Sequence, residues 1–464
     1  MNIRRLGRGV TRGGGPDYQF LFMFFVGQAM LLLAISFTFQ FTVMHNMNMN
    51  QGQHSPRALN NAADAENLSS TLAKDEGQQT EPLQQTEQHD QVTRPIIAYT
   101  VTLTGCGKND KRYSAADAMG LINQGAAVLA HSIALAHAKS NKYGYQMYAL
   151  VHPVAKECSA NLPKLGYTVL VRNTPFDKGD IRQQFLRENI DKASCCGEKE
   201  FIKLYAYTLV DHPVAVILDL DSLVLQPLDD LFDAIIEGDE LNNETVKKLP
   251  IHDKENAKIP KRIDAFYTKD YNMINAGNHE VAGVQGGFLM LRPSESVFDE
   301  YIDLVLEGNY VQGKGWGGKY GFFFGGAQVQ GICAYYYSGL HPDEGVELNR
   351  CRINSMVDSP VFEKGSDGEG KCRDGRDDCE DCRETDVSNI LSSHFTICGK
   401  PWNCSPNRQK LCSQLHGEWF RIRRHFEETR TDGMGYLPTL EGTFEPETYH
   451  GYCTNPNQYV PIKV

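Results

Sequence analysis

Two aspartates, Asp219 and Asp221, lie one residue apart at the end of a short apolar run, VAVIL, near the middle of the chain. The run is typical of a strand buried on both faces, and alternate residues of a strand project to the same side. Two carboxylates that share one side of a buried strand end repel each other and lose solvation, so they need a compensating cation. A divalent metal that carries an oxygen-rich ligand such as a diphosphate would meet this need. An isolated pair is also typical of a strand end that turns toward solvent.

Strands and helices alternate around these aspartates. The sequence predicts strands at 96–103, 145–152, 168–172, 214–218 and 283–294, and helices at about 114–135 and 198–209. This alternation predicts an α/β fold, with a Rossmann-like, mostly parallel sheet that is covered by helices. Ligands of such sheets bind at the carboxyl ends of the strands. We expect the turn at Leu103–Gly107 to lie at that edge together with the aspartates.

The second half of the chain contains two further segments of interest. The polar stretch from Glu237 to Ala282 predicts a long surface insertion. The glycine-rich stretch Gly313–Gly326 is close to a phosphate-binding loop, but Tyr320 stands where a magnesium-binding Ser or Thr is needed and a helix precedes it. A mobile lid that carries Trp316 is the better prediction for this stretch.

The amino-terminal region predicts a membrane anchor. Phe20–Val43 contains no charged residue, four arginines precede it, and no Lys or Arg follows it before Arg57. The run is long enough to span a bilayer, and the charge asymmetry places the amino terminus in the cytosol. A cleaved signal peptide is the competing interpretation, but its apolar region is shorter and ends at a small-residue cleavage site.

These features divide the chain into five predicted regions. They are a cytosolic tail (1–17), a transmembrane signal anchor (18–44), a disordered stem poor in large apolar residues (45–94), a large folded domain (95–405) and a carboxyl-terminal helical extension (406–464). The chain has 46 basic and 58 acidic residues, which disfavours a nucleic-acid partner.

The 13 cysteines are consistent with an oxidising compartment. Cys372, Cys379 and Cys382 provide only one C-x-x-C pair, so disulfides are a better prediction than a zinc site. The odd total leaves at least one cysteine free or paired between chains.

Several segments, in chain order, resemble glycosyltransferase family 8, the glycogenin-like family, over about residues 96–405. They are VTLTG (101–105), GAAVLAHSI (125–133), FIKLYAYTL (201–209), LDLDSLVLQPLDDLFD (218–233), QGGFLMLRPS (285–294) and HFTICGKPW (394–402). The resemblance implies a glycosyltransferase A-type, nucleotide-diphospho-sugar transferase fold, and a reaction that uses a UDP-sugar donor and a carbohydrate or glycoconjugate acceptor.

The resemblance also implies roles for individual residues. Asp219, Asp221 and His394 would bind the metal, and two carboxylates with one imidazole suit Mn²⁺ better than the alternative Mg²⁺. The residues implied to contact the nucleotide sugar are Leu103, Thr104, Lys203, Asp219, Leu220, Asp221, Gly399 and Lys400.

The sequence departs from the family at its catalytic positions. The usual Asp-Gln pair is here Ala327-Gln328, the usual Asn-Ser pair is Gln285-Gly286, and Ile397 replaces a glycine. Without the aspartate, a covalent double displacement at that position is not available, so retention by same-face return is the better hypothesis. Lys203, Gln285 and Gln328 are the candidate catalytic residues, and the two glutamines are expected to bind sugar hydroxyls.

Three hypotheses follow for the function. The first is a retaining, metal-dependent glycosyltransferase in the Golgi or another secretory-pathway membrane, with a lumenal catalytic domain. The second is a catalytically inactive, membrane-tethered UDP-sugar-binding protein, for which Ala327 is the signature. The third, a self-glucosylating glycogenin equivalent, is disfavoured by the anchor and the cysteines. The donor sugar, the acceptor and the oligomeric state are left open.

Overall fold

The computed structural model describes residues 94–106, 115–194, 196–274, 279–361, 371–430 and 435–464. The predicted tail and signal anchor (1–17 and 18–44), and the stem apart from Arg94, lie outside these residues and stay predictions. Within the described ranges, no helix has the length and apolar character required to cross a membrane.

The strands of the described residues are numbered in chain order. They are β1 (Ile96–Leu103), β2 (Gly144–Val151), β3 (Tyr167–Val171), β4 (Ala215–Leu218), β5 (Ser222–Val224), β6 (Ala265–Lys269), β7 (Val284–Leu291), β8 (Tyr310–Val311), β9 (Gly315–Trp316), β10 (Gly345–Glu347), β11 (Ser392–His394), β12 (Cys453–Asn455) and β13 (Gln458–Tyr459).

The α-helices are numbered in the same way. They are α1 (Ala115–Ser140), α2 (Gln184–Asn189), α3 (Asp229–Glu237), α4 (Asn243–Lys248), α5 (Glu295–Glu307), α6 (Val329–Tyr335), α7 (Lys410–Thr429) and α8 (Pro446–Tyr449). A π-helical turn, Tyr336–Leu340, follows α6. Short 3₁₀ segments are Pro153–Ser159, Leu162–Leu165, Lys178–Asp180, Ile190–Lys192, Gly197–Thr208, Gly238–Glu240, Tyr271–Met273, His279–Val281, Cys382–Glu384, Val387–Asn389 and Pro401–Asn403.

A seven-stranded sheet in the order β10-β6-β7-β4-β1-β2-β3 forms the centre of the fold. Strand β7 is antiparallel to both of its neighbours, β4 and β6, and the other neighbouring pairs are parallel. Every residue of β4 and β7 is buried, as the uninterrupted apolar character of a central strand requires. The prediction of an α/β fold with a mostly parallel sheet is confirmed.

The predicted surface insertion at 237–282 is wrong in part. Its residues Ala265–Lys269 form β6, a central strand that pairs with β7 and β10. The strand is only five residues long and ends in Lys269, so its apolar pattern does not stand out from the polar residues around it.

The glycine-rich stretch differs from the expected lid in the position of Trp316. The Trp316 side chain is fully buried, and its indole nitrogen donates a hydrogen bond to the Gly326 carbonyl over 3.0 Å. Trp316 therefore anchors the loop and is not carried on its surface.

Disulfides brace the chain outside the sheet. They join Cys106 to Cys158, Cys351 to Cys382, Cys372 to Cys379, Cys398 to Cys412, and Cys404 to Cys453. The prediction of disulfides for the cysteines of the 372–382 segment is confirmed, and Cys333 is a buried free thiol. The last two disulfides tie the predicted carboxyl-terminal extension, which contains α7, to the residues before it.

Candidate metal centre

Asp219 and Asp221 lie in a tight turn between β4 and β5. The Asp219 carbonyl accepts a hydrogen bond from the Ser222 amide over 3.0 Å, which closes the turn. The Asp219 amide donates to the Gly287 carbonyl on β7 over 3.4 Å. The turn is therefore held at the carboxyl end of β4, the edge at which α/β sheets bind their ligands.

His394 reaches this turn through strand pairing. Strands β11 and β5 are antiparallel, and their register places His394 opposite Ser222. The next residue, Phe395, donates its amide to the Asp221 carbonyl over 2.9 Å. A short ladder thus delivers an imidazole from late in the chain to the two aspartates.

The three side chains form a compact ligand set. Nε2 of His394 lies 3.4 Å from Oδ1 of Asp221 and 3.8 Å from Oδ2 of Asp219. One ligand atom from each residue lies within 4.8 Å of the others. The Thr396 hydroxyl lies 3.2 Å from the same Nε2. Burial lowers the pKa of His394 although Asp219 opposes this, so the imidazole loses its proton more readily, which favours metal binding.

Gly287 makes room for the His394 ring. A Cβ atom at position 287 would lie 2.4 Å from Cε1 and 2.6 Å from Nδ1 of His394. Gly125 of α1 makes room for the aspartate turn on its other side, because a Cβ there would lie 2.5 Å from the Leu220 carbonyl oxygen. The aspartate turn is therefore packed between a strand and a helix that both require glycine.

Lys203 compensates the buried carboxylates. Its ammonium lies 2.9 Å from Asp219, 3.4 Å from Glu200 and 2.8 Å from the Gly286 carbonyl, so its three donors have three partners. Burial lowers the pKa of Lys203, but Asp219 and Glu200 outweigh burial and raise it. Burial raises the pKa of Asp219, because it disfavours the charged carboxylate. Lys203, His394 and Lys400 together outweigh burial and hold that pKa below its usual value.

Lys400 lies on the open side of the site. Its ammonium forms an ion pair with Asp221, and 37% of its side chain is exposed. Burial lowers the pKa of Lys400 to about 8, against the opposing effect of Asp219. Gly399 adopts a φ of +71° before it, and its carbonyl accepts a hydrogen bond from His416 over 3.1 Å. The turn at Gly399 holds Lys400 where a ligand can reach it.

Gln285 contacts protein atoms, not solvent. Its oxygen accepts hydrogen bonds from the Gly287 amide over 2.5 Å and from Asn354 over 3.3 Å, and its side chain also bonds Asp270. Its relative exposure is 4%. These contacts orient the β7 backbone beside His394.

Gln328 is also buried in the protein. Its amide donates to the carbonyls of Ala193 and Gly197 over 3.1 and 2.6 Å. The side chain has no exposure. Both glutamine side chains therefore support the backbone around the site, and the contact with sugar hydroxyls expected of them stays a prediction.

Leu103 and Thr104 lie at the end of β1, at the same edge as Asp219. Strands β1 and β4 are parallel neighbours, so their carboxyl ends meet. Leu103 is buried and its carbonyl accepts the His152 amide over 2.9 Å. Thr104 is half-buried. This pair lies one strand away from the aspartates.

Two residues beside the site were not singled out from the sequence. A Cβ at Gly286 would lie 3.2 Å from Cγ of Gln330 and 3.5 Å from Oε1 of Glu200, so both side chains flank that glycine. Glu200 precedes Lys203 by three residues, a spacing that favours ion pairing on a helix. Gln330 follows Gln328 by two residues, and only the start of α6 decides which of the two faces the site.

The residues present fit a divalent cation. Asp219, Asp221 and His394 offer two carboxylates and the Nε2 nitrogen of one imidazole, all within 4.8 Å of one another. Carboxylate and imidazole ligands of this kind bind divalent cations in proteins.

No protein-family model matches the sequence, and no curated protein matches it either. Solved structures do match. One is the apo bifunctional glycosyltransferase WbbM, at 12% identity and a TM-score of 0.33, over 67% of this chain and 48% of that one. The chain thus spans about half of WbbM's length. Another is the galactosyltransferase LgtC with donor and acceptor sugar analogues, at 11% identity and a TM-score of 0.38, over 70% and 94%. Mouse xyloside xylosyltransferase 1 matches at 12% identity and a TM-score of 0.32, over 56% and 86%.

Proposed function

We propose that this chain is a metal-dependent, retaining glycosyltransferase that moves a hexose or related sugar from a UDP-sugar to a carbohydrate or glycoconjugate acceptor. The observation that carries the proposal is the cluster of Asp219, Asp221 and His394 with Lys400 at its open side. Carboxylates, an imidazole and a reachable ammonium at the carboxyl edge of a mostly parallel sheet suit a metal-bound nucleoside diphosphate. The family resemblance of the sequence points to the same donor.

Each residue has a definite task in this proposal. Asp219, Asp221 and His394 would hold Mn²⁺ or Mg²⁺, which when bound offsets charge on the departing diphosphate. Lys400 would exchange its ion pair with Asp221 for one with a phosphate oxygen. Lys203 fixes the orientation of Asp219, and the end of β1 would meet the uracil ring.

Retention would proceed by same-face return. Ala327 offers no carboxylate, and the Gln328 amide is bound to backbone carbonyls. The bond from the anomeric carbon to the phosphate oxygen would break while the acceptor oxygen bonds to the same face of that carbon. The released diphosphate oxygen would take the acceptor's proton, so no protein nucleophile is needed.

The location we propose is a Golgi or other secretory-pathway membrane, with a single type II anchor. Support comes from the charge-free run at Phe20–Val43 and the basic residues before it. The disulfides of the folded domain are typical of an oxidising lumen.

A second candidate function is that of an inactive UDP-sugar-binding protein. It is favoured by one observation, the absence of a carboxylate at Ala327 together with the buried amide of Gln328. In that case the metal and diphosphate residues would bind the donor without transfer.

A donor panel tests the proposal. Full-length protein in detergent micelles is incubated with Mn²⁺ and UDP-glucose, UDP-galactose, UDP-xylose or UDP-glucuronic acid, and the UDP released is measured. We expect Mn²⁺-dependent release from at least one donor. Calorimetric binding of a donor without release would favour the second candidate, and neither binding nor release would refute both.

A further inference from the structure

Three Asn-x-Ser/Thr triplets, the acceptor signal for N-linked glycosylation, occur in the sequence. They begin at Asn67, Asn243 and Asn403. Asn67 lies outside the described residues, and the other two lie within them. A domain in the lumen of the secretory pathway would present both of these triplets to the glycosylation machinery. The surroundings of each asparagine in the fold then decide which of them can carry a glycan.

Asn243 is the first residue of α4, and it is exposed. The preceding residue, Asn242, caps the helix, because its side-chain oxygen accepts the amides of Glu244 and Thr245 over 2.9 and 3.0 Å. The cap therefore does not use the Asn243 side chain. The Glu244 side chain beside it is 78% exposed. Asn243 thus lies on an open surface, where a bulky polar oligosaccharide can be accommodated.

The threonine of the same triplet is engaged by the fold. The Thr245 hydroxyl donates to the Glu237 carboxylate over 2.7 Å, and Thr245 is only 8% exposed. The same carboxylate accepts the amide and the side-chain nitrogen of Asn242 over 3.2 and 3.0 Å. Because the threonine is part of the acceptor signal, we expect the oligosaccharide to be added before this segment folds. These contacts also fix the start of α4 to the end of α3.

The end of α3 lies at the sheet edge opposite the metal centre. Strand β7 is antiparallel to β4, and Leu291 at its end pairs with Ala215, the first residue of β4. Arg292 follows Leu291 and donates a hydrogen bond to the Ile235 carbonyl of α3. The metal-binding aspartates, in contrast, follow the last residue of β4. A glycan on Asn243 would therefore extend from the edge opposite the metal centre and leave it uncovered.

Asn403 is placed differently. It is half-buried, and its amide donates to the Lys400 carbonyl over 3.0 Å. The middle residue of its triplet, Cys404, is fully buried and is joined to Cys453 by a disulfide. A glycan at this position would disrupt the packing around the disulfide and crowd Lys400 at the open side of the metal centre.

We propose that Asn243 carries an N-linked oligosaccharide and that Asn403 does not. The inference rests on the proposed secretory location, and it adds a modified residue to the folded domain. In the transfer, the amide nitrogen of Asn243 bonds to the anomeric carbon of a lipid-diphosphate-linked oligosaccharide, and the bond from that carbon to the phosphate oxygen breaks. The lipid diphosphate departs with that electron pair, and the amide nitrogen gives up one proton to solvent.

Full-length protein produced in cultured eukaryotic cells tests the inference. A flexible carboxyl-terminal tag with one further Asn-Gly-Thr triplet reports whether the domain reaches the lumen. Glycans are counted from the electrophoretic shift on digestion with peptide N-glycosidase F. Compared with the tagged parent, Asn243→Gln should lose one glycan and Asn403→Gln should lose none. Thr245→Ser, which keeps the acceptor signal, should keep the glycan.

The tag separates failure of the inference from failure of the proposed location. If the tag is glycosylated but Asn243→Gln migrates with the parent, or if Asn403→Gln loses a glycan, the inference is overturned and the proposed location stands. If the tag carries no glycan, the lumenal location fails and the inference fails with it.

The placement of the glycan has a readout of its own. The affinity for Mn²⁺, titrated by electron paramagnetic resonance, should be the same in Asn243→Gln as in the parent, because the glycan extends from the sheet edge opposite the aspartates. A change in Mn²⁺ affinity on loss of the glycan would contradict that placement.

Discussion

The Nε2 atom of His394 lies 3.4 Å from Oδ1 of Asp221 because β11 pairs with β5 in a register that sets His394 opposite Ser222. The contact joins two segments that are far apart in the chain. A single strand pair therefore determines whether the aspartates have a third ligand, and the residues that hold this pair in place are as important as the ligands themselves.

Gly287→Ala should displace His394 and weaken metal binding. The added Cβ would lie 2.4 Å from the imidazole, closer than side chains normally approach, so the ring must move. Titration of Mn²⁺ followed by electron paramagnetic resonance should show about tenfold or greater loss of affinity, since a shifted ligand is lost to the metal. The matched control is Gly286→Ala, whose Cβ would meet the flexible Gln330 side chain at 3.2 Å. Equal Mn²⁺ affinity in both variants would contradict the geometry of the site.

Gly125→Ala should destabilise the fold although alanine favours helices. The Cβ would lie 2.5 Å from the Leu220 carbonyl oxygen, so α1 must withdraw from the aspartate turn at a cost of about 1–3 kcal/mol. The control is Gly417→Ala in α7, where the nearest atom lies at 3.9 Å. That change should stabilise by about 0.5–1 kcal/mol. Thermal unfolding distinguishes the two, and a stabilised Gly125→Ala variant would show that the helix does not press on the turn.

Lys203→Met should lower the free energy of unfolding by about 3–5 kcal/mol, because it leaves Asp219 and Glu200 without their buried cation. The comparison is Lys142→Met. This change breaks an ion pair with Asp233 at 2.7 Å, but the lysine is 53% exposed, so the loss should stay below about 1 kcal/mol. Denaturant unfolding in EDTA measures both. Similar losses in the two variants would mean that Lys203 does not neutralise the site.

The contact between α1 and α7 should make stability depend on pH. His131 and His425 lie 2.8 Å apart, and burial, followed by His425, lowers the pKa of His131 to about 4. The unfolded state, with an ordinary histidine pKa near 6.5, binds the proton first. The contribution of neutral His131 to the free energy of unfolding is therefore fully present above about pH 6.5, and it is lost as the pH falls toward 4. In His131→Asn, the thermal unfolding midpoint should depend less on pH over this range than it does in wild type. An equal pH dependence in the two proteins would refute the assignment.

The sheet and the aspartate turn follow from local patterns in the sequence. VAVIL before Asp219 has the continuous apolar character of a central strand, and β7 shows the same pattern in GGFLMLR. Strand β6 could not be found in this way, because five residues ending in Lys269 are too few to show a period, and their burial comes from pairing with β7 and β10.

The contacts of single polar side chains do not follow from local patterns. The family resemblance directs Gln285 and Gln328 to a sugar, which stays a prediction. In the structure their side chains bond Gly287, Asn354 and the backbone near Gly197. Which polar group contacts a ligand depends on the direction in which the first residues of a helix project and on contacts with residues far away in the chain. A short sequence motif specifies neither of these.

Release of UDP by the full-length protein, measured with and without Mn²⁺, tests the central claim most directly. Its design compares wild type with Asp219→Asn and Asp221→Asn on whichever UDP-sugar the donor panel selects. We expect Mn²⁺-dependent release by wild type that EDTA abolishes, and a loss of about 100-fold or more in each variant, because removing a charge that stabilises a leaving group costs this much. Release that continues unchanged in EDTA, or in both aspartate variants, would contradict the assignment of this cluster as the catalytic metal centre.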